Sequence, residues 1–175
     1  VRVLLIRHAE SSGQEPGVAL TGRGLAQARA LAAALSDEPI GKMVSSPFLR
    51  ARQTAGPLAA HTKLHIDARL AEWQLPRLPD AEWPHGLRPI LTGSVPLPAG
   101  VESVHAARAR GLAALREAAA RADGVPALVT HGKLLALVLG ALQGIDPFDI
   151  FVTLRNPHVF DVQMTGSTSA VRSRA

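Results

Sequence analysis

Cysteine is absent from this 175-residue chain, and so is tyrosine. Without cysteine there is no disulfide framework, no thiolate metal site and no cysteine nucleophile. Aromatic residues of every kind make up only 3% of the chain. Nucleic-acid binders usually combine clustered basic residues with aromatic rings for base stacking, so nucleic acid is not an expected partner. Long apolar runs are missing as well. The longest, residues 134–142, falls far short of the ~20 residues that span a membrane, and no membrane contact is expected. Residues 3–6 are too short for the apolar region of a signal peptide, and Arg7 ends them. A soluble, cytoplasmic protein is the expectation.

What is present describes a globular protein. Hydrophobic residues account for 47% and charged residues for 19%, a balance that can bury a core. The length suits one domain of ordinary size. Basic residues exceed acidic ones by 19 − 14 = 5, and the pI is 10.9 because no Cys or Tyr titrates between His and Lys. Sixteen of the nineteen basic residues are arginines, scattered singly along the chain. That distribution says little about nucleic acid and fits anionic substrates equally well, and it fits a general compositional bias better, since Ala, Arg and Leu dominate throughout.

Residues 1–6 read as an apolar strand of the kind buried on both faces of a parallel sheet. A helix opens at Thr21 or Gly22, with Leu25, Ala28, Leu31, Ala32 and Leu35 at helical spacing, and Asp37-Glu38-Pro39 ends it. A second strand covers 42–46, and Pro47 is expected in the first turn of the next helix, which is bent or ended near Gly56-Pro57. Residues 64–66 suggest a third strand. Six of thirteen prolines fall between 75 and 100, marking a long irregular connection that is a candidate for substrate choice, with Arg77, Trp83, His85 and Arg88 inside it and Trp73 just before. A helix over 101–121, a strand over 127–130, a helix over 132–142 ended by Gly144, and a half-exposed strand over 158–164 complete the pattern. Alternating strands and helices predict an α/β fold: a three-layer α/β/α sandwich with a mainly parallel central sheet. A single domain over 1–165 is expected, with 166–175 as a frayed basic tail.

Two strand ends share one arrangement. Arg7-His8 follows the first strand, and His131-Gly132 follows the strand over 127–130. In open parallel sheets the carboxyl ends of strands face a common crevice where ligands bind. Arg50, early in the helix after the second strand, reaches the same edge. Helix N-termini there add free N–H donors. The sum is rich in positive charge and donors, which suits a phosphoryl group. His61, His65, His85, His105 and His158 lack this context and read as surface or structural histidines.

The order of motifs resembles the histidine phosphatase superfamily, the phosphoglycerate-mutase-like proteins. Leu5-Ile6-Arg7-His8-Ala9-Glu10 is similar to its Arg-His-Gly-Glu segment, with Ala9 in place of Gly. Leu20-Thr21-Gly22-Arg23-Gly24 with Gln27-Ala28, and Ser46-Pro47-Phe48-Leu49-Arg50-Ala51-Arg52-Gln53-Thr54-Ala55, resemble its next two segments. Leu70-Ala71-Glu72, Gly100-Val101-Glu102-Ser103 and Val129-Thr130-His131-Gly132 follow in family order.

The resemblance implies a metal-independent phosphatase that hydrolyses phosphomonoesters through a phosphohistidine at His8. It implies that Arg7, Arg50 and His131 hold the phosphoryl oxygens and that Glu72 protonates the leaving oxygen. Ser11, Gln14 and Gly132 would line the phosphate and substrate side. Two guanidiniums and an imidazole can stabilise equatorial oxygen charge without a metal ion, so neither metal nor cofactor is expected and activity should survive chelators. Neighbouring cations disfavour a protonated His8, which keeps its lone pair free. Lys133 follows the second histidine where small residues are common, and it reads as a solvated first-turn lysine. After Glu72 the family's frequent Gly-x-Trp-Glu-Gly continuation is replaced by Trp73-Gln74-Leu75-Pro76. The expected substrate is a small phosphate ester. Phosphoglycerate mutase-type transfer and a phosphoprotein (phosphohistidine) phosphatase are the alternatives, and the oligomeric state is left open.

Overall fold

The computed structural model describes residues 1–79, 82–121, 123–166 and 168–174. Six strands form one sheet: β1 (Arg2–Arg7), β2 (Lys42–Ser45), β3 (Leu64–Ile66), β4 (Pro126–Thr130), β5 (His158–Thr165) and β6 (Thr168–Ser173). Their order is β3-β2-β4-β1-β5-β6. The first four run parallel, while β5 pairs antiparallel with both β1 and β6.

Helices cover both faces, as expected from the apolar strands. On β1, Leu4 and Ile6 pack with Leu31 of α1 (Gly22–Ala34), with Leu35 just past its end, and with Ala51, Ala55 and Leu58 of α2 (Leu49–Leu58). The alternate residues Val3 and Leu5 pack with Leu115 and Ala118 of α4 (Val104–Ala120) and Leu135 and Leu139 of α5 (Gly132–Gln143). Successive side chains of a strand point to opposite faces, so continuous apolar character is what a twice-covered strand needs. Thr21 caps α1 by accepting from the Gly24 N–H, and Gly144 ends α5 at φ 68°, a left-handed turn that glycine takes without strain.

The structure departs from the sequence expectation in four places. The helix after β2 begins at Leu49, capped by Phe48, so Pro47 precedes it. Two short helices were not anticipated: α3 (Leu87–Leu91) lies inside the connection expected to be irregular, and α6 (Pro147–Phe151) lies where no element was expected. The anticipated half-exposed strand β5 is buried along its first five residues, because both sheet faces are covered there: Val159 packs with Leu4, Ile6 and Leu31, and Phe160 and Val162 pack with Val3, Leu5 and Leu139. The expected frayed tail is instead β6, hydrogen-bonded to β5 with Val162 opposite Val171.

The sheet order creates the crevice. β1 and β4 are neighbours, yet their following helices, α1 and α5, pack on opposite faces. The chain therefore diverges at their carboxyl ends and leaves an opening between them. The segment after Glu72 returns across this region through a third apolar cluster, in which Trp73, Leu87 and Leu91 meet Val104, Leu137 and Phe148.

Candidate active site

Arg7 pairs in register with Thr130, so Arg7-His8 and Thr130-His131 leave the sheet side by side. The His8 N–H continues the ladder to the Thr130 carbonyl at 3.0 Å, and the Ser46 N–H reaches the Val129 carbonyl at 3.0 Å. Three strand ends thus converge within one hydrogen-bonded layer. The His8 and His131 rings stand edge to face, 5.0 Å between centroids. The spatial convergence expected of Arg7, His8, Arg50, Glu72 and His131 is present.

His8 is 7% exposed. Its Nδ1 lies 2.6 Å from the Ala9 carbonyl, which can only accept, so Nδ1 carries the proton. Its Nε2 accepts from Arg50 Nε–H at 3.1 Å and therefore bears a lone pair. Burial, ahead of the Arg50 and Arg7 charges, pushes the imidazole down from 6.5 to about 4. The free lone pair anticipated from neighbouring cations thus owes more to desolvation than to those cations.

Arg50 is fully buried, which is rare for a guanidinium. It is held by the Glu15 carbonyl, by His8 and by the Phe48 ring at 5.0 Å. Thr54 supports it twice over, accepting the Ala9 N–H and donating to the Arg50 carbonyl. Arg7 donates Nη1 to the Leu154 carbonyl at 2.9 Å. Burial lowers the pKa of both arginines, and the Glu72 charge opposes that. His131 is fully buried and is held well below its usual value, mainly by burial. The Ser46 hydroxyl accepts from the Phe48 N–H and stands 2.7 Å from His131 Nε2. When it donates its proton there, the neutral imidazole carries its own on Nδ1.

Three buried polar atoms in this group have no hydrogen-bond partner among the described residues: Arg7 Nε, Arg50 Nη2 and His131 Nδ1. A native interior rarely leaves such donors unmatched. Glu72, 8% exposed, completes the set. Its Oε1 accepts the N–H groups of Trp73 at 2.9 Å and Leu134 at 3.1 Å, and Oε2 accepts that of Lys133 at 3.3 Å. A carboxylate thus docks on the N-terminus of α5, where backbone donors are free. Thr130 fixes the loop that delivers it by donating to the Leu70 carbonyl.

The remaining sequence candidates are placed differently. Gly132 stands against Arg7: a Cβ there would lie 3.4 Å from Arg7 Cζ and 3.3 Å from Phe151 Cε2. Ser11 donates its hydroxyl to the Gly13 carbonyl, and Gln14 is exposed on the same loop. The loop's contact with Arg50 comes from Glu15. Lys133 is not the solvated residue expected, because its ammonium turns toward Glu72. Ser46 and Thr54 belong to the 46–55 segment that resembles the family motif. Asn156, which donates to the His8 carbonyl at 2.7 Å, had no local signal. His61, His65, His85 and His105 are exposed, and His158 is buried between the Arg155 N–H and Ser173 Oγ.

The sequence profile of the histidine phosphatase superfamily (branch 1) matches residues 3–173. A mycobacterial glucosyl-3-phosphoglycerate phosphatase, Rv2419c, has the same fold at 25% identity and TM-score 0.78, covering 98% of this chain and 96% of that one. A phosphoserine phosphatase of Entamoeba histolytica superposes with TM-score 0.78 at 19% identity, covering 98% and 95% of the two chains. The uncharacterized protein Rv0525 of Mycobacterium tuberculosis is 38% identical over 73 residues, a match spanning 38% of this chain and 36% of that protein. The chain belongs to the histidine phosphatase superfamily (branch 1), a family of phosphatase enzymes.

Proposed function

We propose that the protein is a metal-independent phosphomonoesterase that works through a phosphohistidine on His8. The observation carrying this reading is the set of orphaned atoms, Arg7 Nε, Arg50 Nη2 and His131 Nδ1, buried around the lone pair of one imidazole. Unmatched buried donors are costly, and a phosphoryl oxyanion that accepts from all three offsets that cost.

In this reading the phosphoryl oxygens take the three orphaned donors, and Arg50 turns its Nε–H from His8 to the incoming group. His8 Nε2 then attacks phosphorus, the ester P–O bond breaks, and Glu72 gives its proton to the leaving oxygen. The Ala9 carbonyl at Nδ1 favours the positive ring of the phosphohistidine. In the second half Glu72 takes a proton from water as that water attacks phosphorus. The P–N bond breaks, and inorganic phosphate leaves with His8 neutral again. Positioning and charge stabilisation supply most of the rate in phosphoryl transfer, and this geometry offers both. Gly132 leaves room for Arg7, while Ser11 and Gln14 are the loop's contribution to the substrate side.

A small phosphate ester is the substrate class, in keeping with the phosphatases that share the fold. Transfer to a second hydroxyl would use the same atoms, so release of inorganic phosphate, against isomerisation of phosphoglycerate, separates hydrolase from mutase. The direct test is a single-turnover reaction quenched in alkali, with EDTA present throughout. One phosphoryl group should appear on the peptide containing His8 and then decay with phosphate release. A His8→Ala enzyme that kept its turnover would falsify the mechanism.

A further inference from the structure

Lys133 occupies the first turn of α5, one residue beyond Gly132. Its side chain is 15% exposed, and Nζ lies 3.7 Å from Glu72 Oε2. That separation is an ion-pair distance but too long for a hydrogen bond. An ammonium carries three donors on a flexible stem, so a contact with Glu72 at this range leaves it able to bond elsewhere. Its charge also opposes protonation of His131, after burial and the His8 and Arg50 charges. The other two cations are committed to protein carbonyls: Arg7 to Leu154 and Arg50 to Glu15. Among the described residues, Lys133 Nζ has no such bond.

This inference rests on the assignment of Glu72 to the leaving oxygen. A cation beside Glu72 stands next to whatever the leaving group carries. We infer that Lys133 is a specificity residue, and that the preferred substrates are phosphate esters whose leaving group bears a carboxylate near the ester oxygen. A neutral leaving group leaves Lys133 facing Glu72. A carboxylate gains a charge-assisted bond in a partly dehydrated site, where such bonds are stronger than in water.

The test uses two esters that differ at one group: glycerate phosphorylated on its terminal hydroxyl, and glycerol monophosphate, in which a hydroxymethyl group replaces the carboxylate. The native enzyme should favour the first by about tenfold or more in kcat/KM, the scale of one charge-assisted hydrogen bond. Lys133→Met should bring that ratio within about threefold, chiefly by raising KM for the glycerate ester, and Lys133→Arg should restore most of it. Equal losses on both esters in Lys133→Met, or no preference in the native enzyme, would overturn the proposal. Calorimetric binding of both esters to His8→Ala, with and without Lys133→Met, reads the same preference without turnover. A binding preference that vanishes with Lys133 supports the inference even if the phosphohistidine mechanism fails. Equal binding of the two esters, or binding of neither, overturns it.

Discussion

Two groups of arginines at different edges of the sheet show opposite habits. Beside β5, Arg2 and Arg174 are each shared between Glu38 and Asp161, with Arg2 Nη1 at 2.7 Å from Glu38 and Arg174 Nη2 at 2.7 Å from the same carboxylate. Two cations meet two anions there, and the network ties β1, the α1–β2 connection and the chain after β6 together. At the carboxyl ends of β1 and β4, Arg7 and Arg50 meet carbonyls and an imidazole but, among the described residues, no carboxylate, and each keeps an unmatched nitrogen. The same residue type serves architecture where its charge is answered within the chain. In the proposed reading it serves binding where the answer has to come from outside.

Replacing the residues of each group should separate these roles. The largest effect is expected for His8→Ala, with phosphate release falling about a thousandfold or more and a thermal midpoint that holds. Next, Arg50→Met should lower kcat/KM about a hundredfold or more, while stability holds or rises because a buried cation without a carboxylate partner has been removed. Arg174→Met should do the reverse, leaving activity intact and lowering the midpoint. Matching losses of activity and stability in both variants would erase the distinction between the two groups.

Acid should also treat the two ends differently. An unfolded imidazole takes up its proton near 6.5, whereas folded His8 resists until about 4. Between those values the unfolded chain binds the extra proton, so this contribution is complete above 6.5 and is lost as pH falls toward 4. The loss should amount to roughly 2–4 kcal/mol for His8, measured as chemical denaturation across that range, and His8→Asn should flatten it. A smaller effect belongs to the ion network. Asp161→Ala should cost about 1–2 kcal/mol with turnover unchanged, and a cycle combining it with Arg174→Met should show that the two losses do not add.

The sequence was most informative where a local rule decided the outcome. Thr21 ahead of a periodic apolar run announces α1, and two apolar strands each followed by histidine announce the crevice. It was silent where partners come from far along the chain. Nothing near Thr168–Ser173 advertises a strand, because its pairing is provided by β5 and its one apolar match is Val171 with Val162. The short α6 rests on an Asp146 cap and Pro147 at its start, too brief for periodicity to register. Lys133 looks solvated from helix position alone. Only the arrival of Glu72, 61 residues earlier in the chain, turns it inward. Asn156 is similarly unreadable, since its bond to the His8 carbonyl spans 148 residues.

The clamp on Glu72 has a practical corollary. Thr130 holds the Leu70 carbonyl, the start of α5 holds the carboxylate, and the Glu102 carbonyl accepts Trp73 Nε1–H at 2.8 Å. The proline-rich stretch beginning at Leu75 therefore departs from an anchored stub, and Trp83, 55% exposed, rides on it well outside that anchorage. The exposed part around Trp83 is therefore the place to vary this scaffold with the Glu72 carboxylate left in register, whereas Leu87 and Leu91 have to stay to fill the cluster with Leu137 and Phe148.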